Sequence, residues 1–125
     1  MTKRKYMIAG LLVALLLGVF AALPQQVLAD PPQDLVLSYN VGTQTLAATI
    51  THPSTFTGLH YAKLVTIKKN NELISKNEYK SQTGKTSFTY TYQVPAVEND
   101  LLEVTAACNI QGSKTTTLKV EAQKN

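Results

Sequence analysis

Three side chains in this sequence have the chemistry to bind a transition metal. They are the two histidines, His52 and His60, and the single cysteine, Cys108. Imidazole nitrogens and a thiolate are typical ligands of iron, copper and zinc, which makes these residues the candidate metal ligands. A cysteine nucleophile activated by a histidine is the other chemistry that the set allows. The sequence has no cysteine pair at zinc-site spacing and no glycine-rich phosphate loop.

The same residues also fit ordinary structural roles. Cys108 continues the alternating apolar positions 102, 104 and 106, so a strand would place it on an apolar face. A buried thiol in such a place packs like a small hydrophobic residue and is unreactive. His52 and His60 precede a β-rich run and fit a surface loop. Residue types alone therefore leave a metal site and a purely structural role both open.

The elements that must position these residues are strands. Apolar residues recur at a spacing of two, and no window has the apolar stripe of an amphipathic helix. Candidate strands lie at 35–39, 46–50, 60–69, 73–79, 87–94, 102–108 and 118–120. Asn70-Asn71 is typical of a hairpin turn, because asparagine tolerates positive φ. About seven short strands with turns every ~8–12 residues predict an all-β, immunoglobulin-like β-sandwich of antiparallel strands.

The N-terminus has the features of an export signal. Three basic residues at 3–5 precede an apolar run at 7–23, and Val27-Leu28-Ala29 is typical of a cleavage site. We expect a cleavable signal peptide at 1–29 and a single domain at 30–125. The alternative is that the apolar run is kept as a short membrane anchor, which is the one case in which a membrane is a partner. In either case we expect the domain to be exported, outside the cytoplasm.

Charge argues against a nucleic-acid partner. The whole chain has 12 basic and 8 acidic residues, a net charge of +4. Without the three basic residues of the leader the balance is 9 − 8 = +1, and all nine remaining cations are lysines. A nearly neutral domain without arginine has little to hold a polyanion. The single cysteine cannot form an internal disulfide, but a domain of 125 − 29 = 96 residues can fold without one.

The stretches around the candidate ligands read Thr51-His52-Pro53, then His60-Tyr61, then DLLEVTAACNIQG from Asp100 to Gly112. These stretches resemble the superoxide reductase family, and in particular the iron-binding domain of desulfoferrodoxin and neelaredoxin. The family has a His-Pro, a His-Tyr-Ile strand and, near the C-terminus, a strand that ends in Cys-Asn-x-His-Gly. The resemblance spans roughly residues 40–119. It implies an immunoglobulin-like sandwich that holds one non-haem iron through four planar imidazoles and an axial thiolate, where superoxide is reduced.

The resemblance implies that His52 and His60 are two planar ligands and that Cys108 is the axial ligand. Gln111 stands where the family has a ligand histidine, and no histidine precedes His52. Two of the four imidazoles and the segment of the catalytic lysine are therefore absent. What remains is an incomplete or altered mononuclear iron site, completed by Gln111, Asn109 or water. Copper proteins also use two histidines and a cysteine, but usually with an axial methionine that the mature chain lacks.

Two functions follow, and the sequence leaves open whether the protein is an enzyme. The first is an exported, superoxide-reductase-like domain with an altered iron site, with or without reductase activity, which would need an electron donor. The alternative is a non-catalytic, immunoglobulin-like binding module of the cell envelope that holds no metal. The first function could also take the form of a homodimer in which two copies contribute their histidines to one metal site.

Overall fold

The computed structural model describes residues 30–123, in which all regular secondary structure is β. The expected signal peptide, 1–29, lies outside these described residues. The seven strands are β1 (Asp34–Asn40), β2 (Thr45–Thr51), β3 (Ala62–Lys69), β4 (Glu72–Glu78), β5 (Ser87–Gln93), β6 (Leu101–Cys108) and β7 (Ser113–Lys119). All strand pairs are antiparallel, so the predicted all-β fold is confirmed. Between residues 30 and 123 we find no helix long and apolar enough to span a membrane.

The strands form two sheets that share one apolar core. One sheet has the order β1-β2-β5 and the other β4-β3-β6-β7. Alternation of side chains decides which face is buried: Leu46, Ala48 and Ile50 of β2 are fully buried, whereas the residues between them are partly exposed. The alternating apolar positions of β6 at 102, 104 and 106 are buried in the same way. The inner faces of the two sheets therefore form the core of a β-sandwich.

One end of the sandwich collects the segments that carry the candidate ligands. Residues 52–61 connect β2 in one sheet to β3 in the other. Ala62 pairs with Cys108, so this connection ends beside the end of β6. Thr51 pairs with Asp34, the first residue of β1, which brings residues 30–33 to the same end. Antiparallel pairing thus places the N-terminal segment, the 52–61 connection and the end of β6 together.

The predicted third strand, 60–69, begins two residues too early. The residues before Ala62 make loop contacts instead of ladder contacts. The backbone N–H of His60 donates to the carbonyl of Phe56 at 2.9 Å, and the N–H of Tyr61 donates to the side-chain oxygen of Asn109 at 2.9 Å. His60 therefore lies on the loop, outside the sheet.

The predicted turn at Asn70-Asn71 joins β3 and β4, and both residues have positive φ, 52° and 68°. The Asn70 amide also spans to the next hairpin. It donates to a carboxylate oxygen of Asp100 and accepts from the N–H of Leu101, both at 2.9 Å. Hydrogen bonds from the N–H of Val97 and from Asn70 hold the pKa of Asp100 below its usual value.

Tyrosines of β5 close the gap between the sheets instead of lining an open surface. Phe88, Tyr90 and Tyr92 share the inward face of β5, as the sequence predicts. The ring of Tyr79 stacks on Tyr90 with centroids 4.2 Å apart, and the Tyr79 and Tyr92 hydroxyls lie 2.7 Å apart. Burial, followed by the hydrogen bond to Tyr79, raises the pKa of Tyr92 far above its usual value. These aromatic side chains therefore contact one another between the sheets.

We expect Leu46→Ala to destabilise the fold by about 2–5 kcal/mol, because it removes a fully buried side chain and leaves a cavity between the sheets. Urea unfolding of the purified protein measures this loss. Leu73→Ala is the matched control, since Leu73 is 54% exposed on β4, and it should change the unfolding free energy by less than about 0.5 kcal/mol. Equal effects of the two changes would contradict this assignment of the core.

Candidate metal centre

The structure brings the three sequence-predicted ligands, His52, His60 and Cys108, into one cluster. His52 follows the end of β2, His60 lies near the end of the 52–61 connection, and Cys108 is the last residue of β6. One ligand atom from each residue lies within 4.8 Å of the other two. The histidine rings meet edge to face, with centroids 4.4 Å apart and an interplanar angle of 69°. Residues distant in sequence thus present two imidazoles and a thiol to one point.

His52 is not the surface residue that its loop position suggests. Its side chain is fully buried. Its Nδ1 lies 2.8 Å from Oε1 of Gln82, and its Nε2 lies 3.0 Å from the backbone carbonyl oxygen of Asp30. A buried imidazole with a polar neighbour at each nitrogen has a fixed orientation, so the role of each nitrogen can be worked out.

The buried amide of Gln82 decides those roles. Its Oε1 accepts the backbone N–H of Ala62 at 3.1 Å, and its Nε2 donates to the carbonyls of His52 at 2.7 Å and Gly84 at 2.9 Å. In the opposite amide orientation, Nε2 would face the N–H of Ala62, and Oε1 would face the carbonyl oxygens of His52 and Gly84. Neither arrangement allows a hydrogen bond. Oε1 therefore faces His52, and Nδ1 must carry the proton that it donates.

A neutral His52 then has its free lone pair on Nε2. That nitrogen lies on the side of Asp30 and His60, whose own Nε2 is 3.2 Å from the same Asp30 oxygen. Histidines that bind metals typically donate the opposite ring N–H to a carboxylate, carbonyl or water, which fixes the tautomer and aims the ring. The oxygen of the Gln82 amide provides that contact here.

Cys108 differs from the apolar core position that the alternation of β6 suggests. It is partly exposed, because β6 ends at this residue and the chain turns. Its backbone N–H donates to the carbonyl of Gly112 at 3.0 Å, and the N–H of Ile110 points to its sulfur at 3.4 Å. Hydrogen bonds to sulfur are among the contacts by which proteins tune metal-bound thiolates.

Asn109 and Gln111, which the resemblance suggested as substitute ligands, have different surroundings. Asn109 joins two loops: its Oδ1 accepts the N–H of Tyr61 at 2.9 Å, and its Nδ2 donates to the carbonyl of Leu59 at 3.0 Å. This side chain is a structural link between the end of β6 and the His60 loop. Gln111 is exposed in the turn between β6 and β7.

Sequence reasoning missed two residues of this cluster, Gln82 and Asp30. Gln82 lies between β4 and β5, thirty positions from His52, in a polar stretch that reads as an ordinary loop. Asp30 contributes a backbone carbonyl, which no residue-type pattern can reveal. Only the strand pairing brings both to the histidines.

The comparisons with known proteins give likenesses to solved structures alone. Neither family models nor curated proteins match the chain. Among solved structures, it is similar to a superoxide reductase (neelaredoxin) from Ignicoccus hospitalis, with 9% identity over 74% of this chain and 82% of that chain, and a TM-score of 0.48. Nothing about the metal site or the activity follows from a likeness this distant.

We expect the neutral His52 ring to be the Nδ1–H tautomer, because the orientation of Gln82 requires it. Long-range proton–nitrogen NMR correlations identify the protonated nitrogen directly. Gln82→Leu should remove this preference and lower the free energy of unfolding by at least about 1–3 kcal/mol, since it leaves buried polar groups without partners. The control is Gln93→Leu, at an exposed glutamine with a single bond to the Thr43 carbonyl. An Nε2–H tautomer of His52 would contradict the assignment.

Proposed function

We propose that this chain is an exported, superoxide-reductase-like β-sandwich that binds one transition-metal ion, iron in the first place, at an altered site formed by His52, His60 and Cys108. The observation that carries the proposal is the convergence of three ligand atoms within 4.8 Å around a buried histidine whose Nε2 lone pair is left available by Gln82. The sequence resemblance around the same residues supports it independently.

The donor set fits a transition metal but not the complete iron shell of the family. Four imidazoles are needed for that shell, and the chain has two histidines. Two imidazoles and a thiolate suit ferrous iron, zinc or copper. Ligand atoms of one tetrahedral ion lie roughly 3.3–3.8 Å apart, given bonds of about 2.0–2.3 Å. The 4.8 Å limit on the present separations is therefore about 1 Å from a coordinating arrangement.

The residues of the chain divide the work of holding the ion. His52 is fixed in the interior by Gln82, whereas His60 and Cys108 are partly exposed on the loop and at the strand end. The rigid imidazole sets the position of the site, and the two outer ligands close on it. Iron bound there would supply one-electron redox chemistry, and the thiolate would raise the electron density on the metal. We assign no reductase step to the site, because half of the family's imidazoles are absent.

The test is metal content and visible absorption after anaerobic loading with Fe(II), in protein produced from the full-length chain and recovered from the envelope fraction. We expect close to one ion per chain and, after oxidation, a thiolate-to-iron absorption band. Cys108→Ser should abolish the band and weaken metal binding at least about tenfold. His60→Gln should also weaken metal binding at least about tenfold, and it should not unfold the protein.

Ser38→Ala is the matched control, since Ser38 is an exposed small polar residue of β1 on a strand that carries none of the three ligands. It should leave metal content and absorption unchanged. A folded, colourless protein that binds neither Fe(II), Co(II) nor Zn(II) would refute the metal site. That result would instead favour the metal-free binding module.

One observation supports that alternative. Three apolar side chains on the loops around the cluster are largely exposed: Phe56 (67%), Leu59 (73%) and Ile110 (51%). Asn109 joins the two loops that carry them. Exposed apolar groups on loops that are joined to each other are typical of contact surfaces. A metal-free module would keep its function in Cys108→Ser, whereas a metal protein would lose it.

A further inference from the structure

The N-terminal segment 30–33 lies across the candidate metal centre. The N–H of Gln33 donates to the carbonyl of Thr51 at 2.8 Å, which extends the pairing of β1 with β2 by one residue. Pro32 is buried. Beyond it, the carbonyl oxygen of Asp30 lies 3.0 Å from Nε2 of His52 and 3.2 Å from Nε2 of His60. One backbone oxygen thus faces the Nε2 atoms of both histidines.

The contact between Asp30 and His52 is favourable when a proton or a metal ion lies between the two atoms. Because Gln82 takes the N–H on Nδ1, the neutral ring presents a lone pair at Nε2. The carbonyl oxygen presents lone pairs as well, so the neutral ring leaves a place for a cation between the two atoms at a separation of 3.0 Å. Two ligands bonded to one tetrahedral ion at about 2.1 Å lie roughly 3.4 Å apart. The separations of 3.0 and 3.2 Å are hydrogen-bond distances, and a shift of roughly 0.2–0.4 Å would bring them to that spacing.

Glycine at position 112 lets the segment lie where it does. Gly112 has a φ of +78°, and a Cβ built on it would be 2.3 Å from Cβ and 3.2 Å from Cγ of Pro31. No side chain fits in that space. The turn after Cys108 therefore packs directly against the residue next to Asp30. This contact and the hydrogen bond from Gln33 to Thr51 hold the segment over the site.

We propose that the backbone carbonyl oxygen of Asp30 is the fourth metal ligand. This inference rests on the proposed metal site and completes it within one chain as two nitrogens, one sulfur and one oxygen. An oxygen donor beside imidazoles favours Fe(II) or Zn(II) over Cu(I). It also closes the coordination position that an external anion would take. The backbone donor is retained whether or not the leader is removed after position 29.

The test displaces the segment without replacing any of the other three ligands. The strain of alanine at a φ of +78° is common to the single and the double variant below, so the difference between them reports the clash with Pro31. Gly112→Ala forces Pro31 away, so Asp30 should leave the metal. In the Co(II)-loaded protein we expect about tenfold weaker metal binding and stronger binding of azide, which takes the opened position. Adding Pro31→Gly removes the atoms that clash and should restore both values toward those of the unaltered protein. Gly58→Ala is the matched control, because a Cβ at Gly58 meets nothing within 4 Å.

A second measurement needs no substitution. The chain has three aspartates, Asp30, Asp34 and Asp100. With aspartate labelled at the carbonyl carbon, Co(II) should shift the Asp30 signal far more than the other two, relative to the Zn(II) form. An equal shift at Asp34 would overturn the proposal, as would a Gly112→Ala protein with unchanged metal and azide binding. Either result in protein that still shows the Cys108 thiolate band leaves the three-ligand site standing. Failure of the unaltered protein to bind any metal removes both proposals.

Discussion

The arrangement of this end of the molecule depends on the hydrogen bonds of one buried amide. Gln82 is 3% exposed and contacts the His52 ring, the His52 carbonyl, the Ala62 N–H and the Gly84 carbonyl. Gln82, in the β4–β5 loop, thereby joins the end of β2 to the start of β3, and these two strands belong to different sheets. Buried polar groups are costly without partners, and among the described residues no buried side-chain polar atom lacks one. The position of His52 follows from this network.

The sequence predicts the sheets well because their driving force is local. Alternation in β2, β5 and β6 is visible residue by residue, and the structure buries the predicted face in each. The three candidate ligands can also be predicted from their residue types and from the sequence motifs around them. Gln82 and Asp30 cannot, since each acts through a long-range hydrogen bond set by strand register. The same limit explains the misplaced start of β3, where His60 bonds within its loop and Tyr61 bonds to Asn109.

A metal site with two imidazoles places other demands on its remaining ligands than a site with four. A site with four planar imidazoles leaves one face open for a small substrate, whereas two imidazoles and a thiolate leave an ion under-coordinated. In this chain the N-terminal segment lies on the histidines at the place where a fourth donor would be useful. A fourth protein ligand limits the access of external ligands, because an ion held by four protein atoms is stable but has less room for another ligand. In the proposed site, that balance would favour tight metal retention over turnover.

Export would make the environment of Cys108 consequential. A partly exposed lone thiol in an oxidising compartment is exposed to oxidation and to pairing with a second copy. Ligation to a metal occupies the sulfur lone pairs that those reactions use. The Ile110 N–H already points at the sulfur, and the turn at Gly112 packs against Pro31, so the segment that approaches the histidines also covers this side of the cluster. In the proposed site, the same few contacts would therefore serve both metal retention and protection of the thiol.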